Sequence, residues 1–231
     1  MNHLLMIHQY LKDRGELSDI PATGLPFITI SRESGAGGHL LAHVLTADFQ
    51  KHSEFEFFKG WHVFDREICQ VVAEDPELET SFNDLLSENY RSEFREVMNN
   101  LFSGRSEQYI KFKKVFKVVR ILATLGKVIL VGQAAACVTA DMPSGIHIRL
   151  VAPEAIRTRW MMKKFNISKE EAMAMMARQD ENRHKVAQNF FNKSVDDPLL
   201  YHATFNGDKT TPHEMSYAII EMLKFRMKQS V

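Results

Sequence analysis

The chain has 231 residues, of which 45% are hydrophobic and 25% charged, a composition ordinary for a globular protein with a sizeable core. Its 29 basic residues balance 29 acidic ones, so no overall field favours nucleic acid or a membrane surface as a partner. No apolar run approaches the roughly 18 residues of a membrane span, and the first residues lack the pattern of a secretory signal. We therefore expect a cytoplasmic protein that binds neither nucleic acid nor membranes.

The cysteines and histidines show no metal-binding pattern. Cys69 and Cys137 lie far apart without CxxC spacing, and the ten histidines contain no HExxH motif. Neither a disulfide scaffold nor a zinc site is expected from this usage. The sequence thus names no residue as a direct metal ligand.

Short apolar runs alternate with longer helical patterns, which indicates a mostly parallel sheet covered by helices. The predicted strands are residues 26–31, 61–65, 127–132, 145–152 and 200–206. We therefore predict an α/β fold with five strands.

Helix-start signals define two of the helices. Ser168 is predicted to cap a helix, with Glu171 closing a capping box, and the last helix is predicted to begin with Thr211 as N-cap followed by Pro212. The apolar spacing near the N-terminus predicts a short amphipathic helix.

No internal repeat or long linker divides the chain, so residues 1–231 are predicted to form one domain. Residues 1–24 are predicted to be an N-terminal helical extension. The stretch 75–110 is predicted to be a helical insert between the second and third strands.

A glycine-rich turn, Ser34 to Gly38, stands directly between the first strand and the next helix. Glycines let the backbone wrap a phosphate, and the helix N-terminus supplies a positive dipole end. A turn that serves only packing is the alternative. The lysine of a Walker A motif is replaced by Gly38 or His39, and Leu40 follows where a hydroxyl would hold magnesium. Arg32 and His39 are the nearby cations.

Six segments together resemble the cytidylate kinase-like family of the P-loop nucleoside monophosphate kinase superfamily. They are ITISRESGAGGHLLA (28–42), WHVFDREI (61–68), VILVGQAAACV (128–138), IHIRLVAPEAIRTRW (146–160), ISKEEAMAMMARQDENR (167–183) and DDPLLYHATFN (196–206). The resemblance implies a P-loop NTPase-type three-layer fold with a five-stranded parallel sheet. It also implies that the insert at 75–110 binds the acceptor, that an arginine-bearing lid spans 165–195, and that ATP and Mg²⁺ are used.

The resemblance and the glycine turn suggest roles for three sets of residues. The catalytic set is Arg32, Arg178, Asp180 and Arg183. The phosphate- and ATP-binding set is Ser34, Gly35, Ala36, Gly37, Gly38, His39 and Arg157. The acceptor-binding set is Asp65, Arg66 and Gln133.

Each role has a simpler alternative. Arg32 could form a structural ion pair, the Arg178, Asp180 and Arg183 pattern could be solvated surface charge, and Asp65 could be a helix N-cap. The sequence also departs from the family pattern. Gln133 replaces an expected arginine, Gln188 stands where a lid arginine often lies, and His202 replaces an aspartate.

Three functions remain open at this point. The leading hypothesis is a phosphotransferase that moves the γ-phosphate of ATP to a nucleoside monophosphate, CMP or dCMP first, or to a related small acceptor. The second is a catalytically degenerate regulatory protein that binds nucleotide without turnover. The third is a protein whose glycine loop is structural and whose N-terminal helix makes a homodimer contact.

Overall fold

A computed structural model describes residues 3–15, 25–52, 55–86 and 107–229. Its five strands form one sheet in the order β2-β3-β1-β4-β5, and all neighbouring strands are parallel. The strands are β1 (Phe27–Arg32), β2 (His62–Phe64), β3 (Val128–Val131), β4 (Gly145–Val151) and β5 (Ala203–Asn206). This arrangement confirms the predicted α/β fold class with a five-stranded parallel sheet.

Each strand overlaps the segment predicted for it. The last strand begins at Ala203 rather than at Leu200, because Pro198–Leu200 form a short 3-10 turn that Asp197 caps.

The described helices cover both faces of the sheet, and a further 3-10 turn lies at Glu56–Phe58. They are α1 (His3–Gly15), α2 (Gly38–Lys51), α3 (Arg66–Glu74), α4 (Pro76–Asp84), α5 (Glu107–Leu125), α6 (Ala135–Val138), α7 (Glu154–Phe165), α8 (Lys169–Phe191) and α9 (Pro212–Gln229).

Alternate residues of the central strands point into two separate cores, as the period of a strand requires. Val128 and Leu130 of β3 pack with α1, α3, α4 and α5 on one face, whereas Ile129 and Val131 pack with α2 and α9 on the other. Burial on both faces explains why these strands appear as continuous apolar runs in the sequence. The two cores and the sheet form three layers.

The capping predictions are confirmed. Ser168 Oγ accepts from the Glu171 amide, and the Glu171 carboxylate accepts from the Ser168 amide. Thr211 and Glu214 exchange the same pair of bonds at the start of α9.

The predicted insert at 75–110 is helical where the structure describes it, in α4 and the beginning of α5. Residues 87–106 lie outside the described residues. Among the described helices, none combines the length and apolar character that a membrane crossing requires.

The N-terminal helix is part of the core rather than an appendage. Ile7 and Tyr10 are fully buried, and the Tyr10 ring meets Phe64 and Phe82 at centroid distances of 5.1 and 6.0 Å. The Tyr10 hydroxyl donates to the Gly126 carbonyl oxygen at 3.0 Å. Helix α1 therefore supports the end of α5 and the start of β3.

Replacing Tyr10 with alanine is expected to lower the free energy of unfolding by about 3–5 kcal/mol, because a buried aromatic ring and its hydrogen bond are lost together. Leu5→Ala on the same helix is the control, since Leu5 is 69% exposed, and it should change stability by less than about 0.5 kcal/mol. Urea unfolding followed by circular dichroism measures both. Equal stabilities of the two variants would contradict the docking of α1.

Candidate functional site

A cleft of about 1010 Å³ opens at the carboxyl ends of the central strands. Arg32 at the end of β1, Gly132 after β3 and Arg149 in β4 all line it. Open parallel sheets bind ligands at this edge, because there the loops leave the sheet towards opposite faces. The sheet thus brings side chains that are far apart in sequence into one space.

The glycine-rich turn forms one wall of the cleft and leaves its amides open. Gly37 adopts φ +88° as the N-cap of α2, and no side chain caps that helix. In the described part of the chain, the amides of Gly35, Gly37 and Gly38 have no hydrogen-bond acceptor. An uncapped helix start beside free amides is a favourable place for an anion.

Ala36 is placed differently from its neighbours in this turn. Its side chain packs into the core, and its amide donates to the Glu33 carbonyl oxygen at 3.1 Å. It does not line the cleft, so it closes the turn rather than facing a ligand.

Two glycines make room for Arg32. A Cβ added to Gly38 would lie 3.2 Å from Cγ and Cδ of Arg32, and a Cβ added to Gly132 would overlap its Nη1. The Arg32 stem therefore crosses Gly38, and its guanidinium lies against Gly132.

The Arg32 guanidinium has no hydrogen-bond or ion-pair partner among the residues that the structure describes. Burial lowers its pKa to about 10, and repulsion from Arg183 acts in the same direction, while Asp65 and Asp180 oppose the shift. The group still carries its charge at neutral pH. The structural ion pair considered for Arg32 is therefore not formed.

Arg157 of α7 and Arg183 of the lid helix α8 are paired, unlike Arg32. Asp180 of α8 accepts from Nη1 of Arg183 at 2.6 Å and from Nη1 of Arg157 at 3.1 Å. Its Oδ1 also accepts from the Ser34 amide at 2.8 Å, and Arg183 Nη1 donates to Ser34 Oγ at 2.6 Å. The sequence prediction brought Ser34, Arg157, Asp180 and Arg183 to one place, and the structure joins them directly.

Arg178 is separated from this group. It is exposed, forms no hydrogen bond or ion pair with other described residues and does not line the cleft. It lies five positions before Arg183, which at about 100° per residue places it some 140° around the helix. The structure therefore does not bring Arg178 to the other candidate residues, and its catalytic role stays a prediction.

The predicted acceptor residues Asp65, Arg66 and Gln133 also line the cleft. Asp65 caps α3, with Oδ1 accepting from the Glu67 and Ile68 amides, and its Oδ2 lies 3.5 Å from His39 Nε2. The His39 contact holds the pKa of Asp65 below its ordinary range. Arg66 is exposed. Asp65 thus serves as the helix cap and also faces the cleft.

Gln133 lies in an unusual backbone stretch that lines the cleft. Gly132, Gln133 and Ala134 have φ values of +84°, +57° and +51°. For residues with a side chain this left-handed conformation costs about 1–2 kcal/mol each, and such strain often collects at functional sites. The backbone here turns sharply around the place where Arg32 ends.

A family comparison agrees with this geometry. The family model described as "Cytidylate kinase-like family" matches residues 27–209. The chain belongs to the cytidylate kinase-like family. This membership supports a nucleotide kinase-like function in general terms. No curated protein matches the sequence.

Solved structures also resemble the chain. An uncharacterized protein from Eubacterium ventriosum shares 22% identity at a TM-score of 0.65, over 87% of this chain and 98% of that one. Shikimate kinase from Bacteroides thetaiotaomicron shares 13% at a TM-score of 0.46, over 86% and 98%. TT1252 from Thermus thermophilus shares 15% at a TM-score of 0.44, over 87% and 97%. The first similarity supports the fold.

Two departures from the family pattern lie outside the cleft. The exposed Gln188 side chain donates to Asn192, and His202 Nδ1 accepts from the His147 amide towards the other end of β4. Neither lines the cleft, so neither substitution removes charge from it. Gln133 does line it, and Leu40 is exposed beside it. The departures that matter are therefore those at the loop and after β3.

The sequence analysis did not predict several residues that line the cleft. Arg149 donates to Asp196 Oδ1 at 2.5 Å and to Ser31 Oγ at 3.3 Å. An arginine in strand β4, where His147 is the other polar residue, was the available signal. Lys164 and Lys185 also line the cleft from α7 and α8. No sequence pattern distinguishes these two lysines from ordinary surface charge.

Membership of this family usually implies the use of Mg²⁺, but the described residues provide few ligands for a metal ion. No cluster of three His, Cys, Asp or Glu side chains occurs among the described residues. Three carboxylates line the cleft: Glu33 accepts from the Ala152 amide, Asp65 is the helix cap, and Glu67 is exposed. The described residues therefore do not form a metal site of their own in the cleft.

The lid has a second attachment through Asp196, which accepts from His184 Nε2 at 2.7 Å. This bond, together with the Asp180 carbonyl, raises the pKa of His184 above its ordinary 6.5. Because this pKa is raised, the contribution of the His184–Asp196 pair to the stability of the folded protein is complete below pH 6.5. It is lost as the pH rises through the pKa that His184 has in the folded protein. The attachment of α8 to Asp196 should be stronger at pH 6 than at pH 8.

Histidine NMR titration measures this directly. The pKa of His184 is expected to lie above 6.5 in the native protein and to fall in Asp196→Asn, because the anionic acceptor is gone. Asp197→Asn is the matched control, since Asp197 only caps the neighbouring turn. A His184 titration that Asp196→Asn leaves unchanged would contradict the assigned pair.

Proposed function

We propose that the chain is an ATP-dependent phosphotransferase that moves the γ-phosphate of ATP to a nucleoside monophosphate, with CMP and dCMP as the first acceptors to test. One observation carries the proposal. The charged, unpaired Arg32 guanidinium lies beside the uncapped start of α2 and the free amides of the glycine turn.

An unpaired cation in a partly buried position is unfavourable in the free protein, because part of its water is removed without a paired counter-charge. An anion that enters the cleft supplies that counter-charge. Phosphate suits the position because it accepts from amides and from a guanidinium at the same time. The geometry therefore favours a phosphorylated ligand over a neutral one.

Arg32 can replace the absent lysine of the Walker A motif as the cation that binds phosphate. The lysine would start from the helix at the position of Gly38, whereas Arg32 starts from the strand and crosses Gly38. The missing side chain at Gly38 is what opens this route. A cation reaches the phosphate region from the strand side instead of the helix side.

The far part of the cleft suits a flat base. Tyr109 and Phe112 of α5 line it together with Phe190 of α8, and the Phe190 ring lies 4.9 Å and 5.0 Å from the other two. Arg66 and Gln133 line the same cleft. Aromatic faces stack on bases, and the two polar groups would orient the acceptor's phosphate.

Phosphoryl transfer needs positioning and charge stabilisation more than a strong base. The loop amides and Arg32 would hold the donor phosphates, and Arg183 lies close enough to add charge as the group moves. Mg²⁺ carried on ATP would neutralise part of the phosphate charge. Exclusion of water by the lid would protect the transferred group from hydrolysis.

A second candidate, nucleotide binding without turnover, is favoured by specific positions. Leu40 and Gln133 provide neither the metal-binding hydroxyl nor the acceptor arginine that the family pattern supplies. In that case the cleft would bind ATP, and ligand binding would change the position of the lid.

The test is calorimetric titration with ATP and Mg²⁺, then with CMP, UMP and dCMP, followed by an ADP-release assay. Binding of ATP with ADP release that depends on an acceptor supports the kinase. Binding of ATP with no ADP release for any acceptor supports the second candidate. Absence of heat with every nucleotide contradicts both.

Arg32→Met separates a ligand-binding charge from a structural one. ATP affinity should fall about 10- to 100-fold, because charge-assisted hydrogen bonds are lost. The melting temperature should rise by about 2–4 °C, because an uncompensated charge is replaced by a side chain of similar length. Arg159→Met, at an exposed arginine of α7, should change neither property.

A compensating variant tests the route past Gly38. In Arg32→Ala combined with Gly38→Lys, the lysine can enter the space that the Arg32 stem leaves, and ATP affinity should return to within about tenfold of the native value. Gly38→Lys alone should weaken binding, because the new side chain meets Arg32. A fall in melting temperature for Arg32→Met with unchanged ATP affinity would contradict the assignment of Arg32 as a phosphate-binding charge.

A further inference from the structure

The donors around Asp180 have the composition of an anion site. The Ser34 amide, Arg157 Nη1 and Arg183 Nη1 converge on its two carboxylate oxygens at 2.6–3.1 Å. They come from the glycine turn, α7 and α8. These are the donor types that bind a phosphoryl group, and here they bind the protein's own carboxylate.

The contact is also what holds the lid helix on the loop. Ser34 is only 2% exposed, and its hydroxyl donates to Gln179 Oε1 at 2.8 Å. Withdrawal of α8 would leave the buried Ser34 amide without an acceptor, which is unfavourable. It would also separate Arg157 from Asp180 and leave it with Glu33, 3.4 Å away, as its anionic partner. The free protein therefore favours the lid resting on the loop.

A nucleotide phosphate and Asp180 compete for the same charges. Arg183 lines the cleft, so a phosphate bound at the loop would lie near both Arg183 and the Asp180 carboxylate. Two like charges served by the same arginines repel each other. Either the carboxylate leaves its donors or the phosphate binds less tightly.

We propose that Asp180 is an internal competitor for phosphate, a carboxylate that occupies the donors of the loop and lid in the free protein and is displaced when a polyphosphate binds. The proposal rests on the proposed function of the cleft. It changes the role of Asp180 from a catalytic group to a regulatory one. Displacement would free Arg183, which lines the cleft, for the ligand and would couple nucleotide binding to the movement of α8.

A purely positioning role predicts the opposite sign. If Asp180 only aligns Arg157 and Arg183 for the ligand, its loss misplaces both arginines and weakens binding. If Asp180 competes, loss of its negative charge strengthens binding. The direction of the change in affinity therefore decides between the two roles.

The experiment compares pyrophosphate and ATP binding to the native protein and to Asp180→Asn by calorimetry. We expect Asp180→Asn to bind both about tenfold more tightly, because the competing charge is removed while the shape is kept. Glu170→Gln is the matched control, since it removes an exposed carboxylate from the same helix away from the cleft. It should leave affinity unchanged.

A second measurement uses the native protein, in case Asp180→Asn does not fold. The Ser34 amide signal is followed by NMR as pyrophosphate is added, and a large shift is expected when its bond to Asp180 is exchanged. Saturation of the glycine amides with no change at Ser34 would overturn the proposal, as would equal or weaker binding by Asp180→Asn. If the native protein and Asp180→Asn both fail to bind pyrophosphate and ATP, the proposed function fails as well.

Discussion

The cleft is organised around one guanidinium that the described protein leaves without a partner. Arg32 ends the central strand, crosses Gly38 and lies against Gly132, and each of these glycines is required by the close approach of that side chain. The sheet order places β1 between β3 and β4, so the residues that follow its neighbours surround the same charge. The loop, the strained turn after β3 and the lid are all arranged around it.

The arginines near the cleft differ in whether a carboxylate of the protein pairs with them. Arg157 and Arg183 share the Asp180 carboxylate, and Arg149 is held by Asp196, so three of the arginines near the cleft have carboxylate partners within the protein. Arg32 is not, and burial lowers its pKa as a result. Stability given up at a site for the sake of binding is a common feature of proteins that act on ligands. The proposed change of partners during binding depends on the Asp180 carboxylate that Arg157 and Arg183 share.

Much of the fold follows from local sequence signals. The apolar runs give the strands because both faces of the sheet are covered, and the Ser168 and Thr211 caps mark helix starts by short-range hydrogen bonds. The glycine turn was recognisable from its place between strand and helix. The docking of α1 through Tyr10 was not, because an aromatic residue in an amphipathic helix does not reveal what it packs against.

The site was harder to predict because its contacts span long distances in the chain. The bond between Ser34 and Asp180 joins residues 146 positions apart, so no spacing rule reveals it. Arg178 and Arg183 look equivalent in sequence, and only the orientation of α8 separates them. Gln133 and Ala134 give no sign of their left-handed conformation, because such residues seldom adopt it.

A crystal structure of the native protein with ADP bound tests most directly whether Arg32 and the glycine turn bind phosphate. We expect the β-phosphate to lie against the amides of the glycine turn, with an oxygen about 3 Å from the Arg32 guanidinium. An ADP whose phosphates lie elsewhere, with Arg32 still unpaired against Gly132, would contradict it.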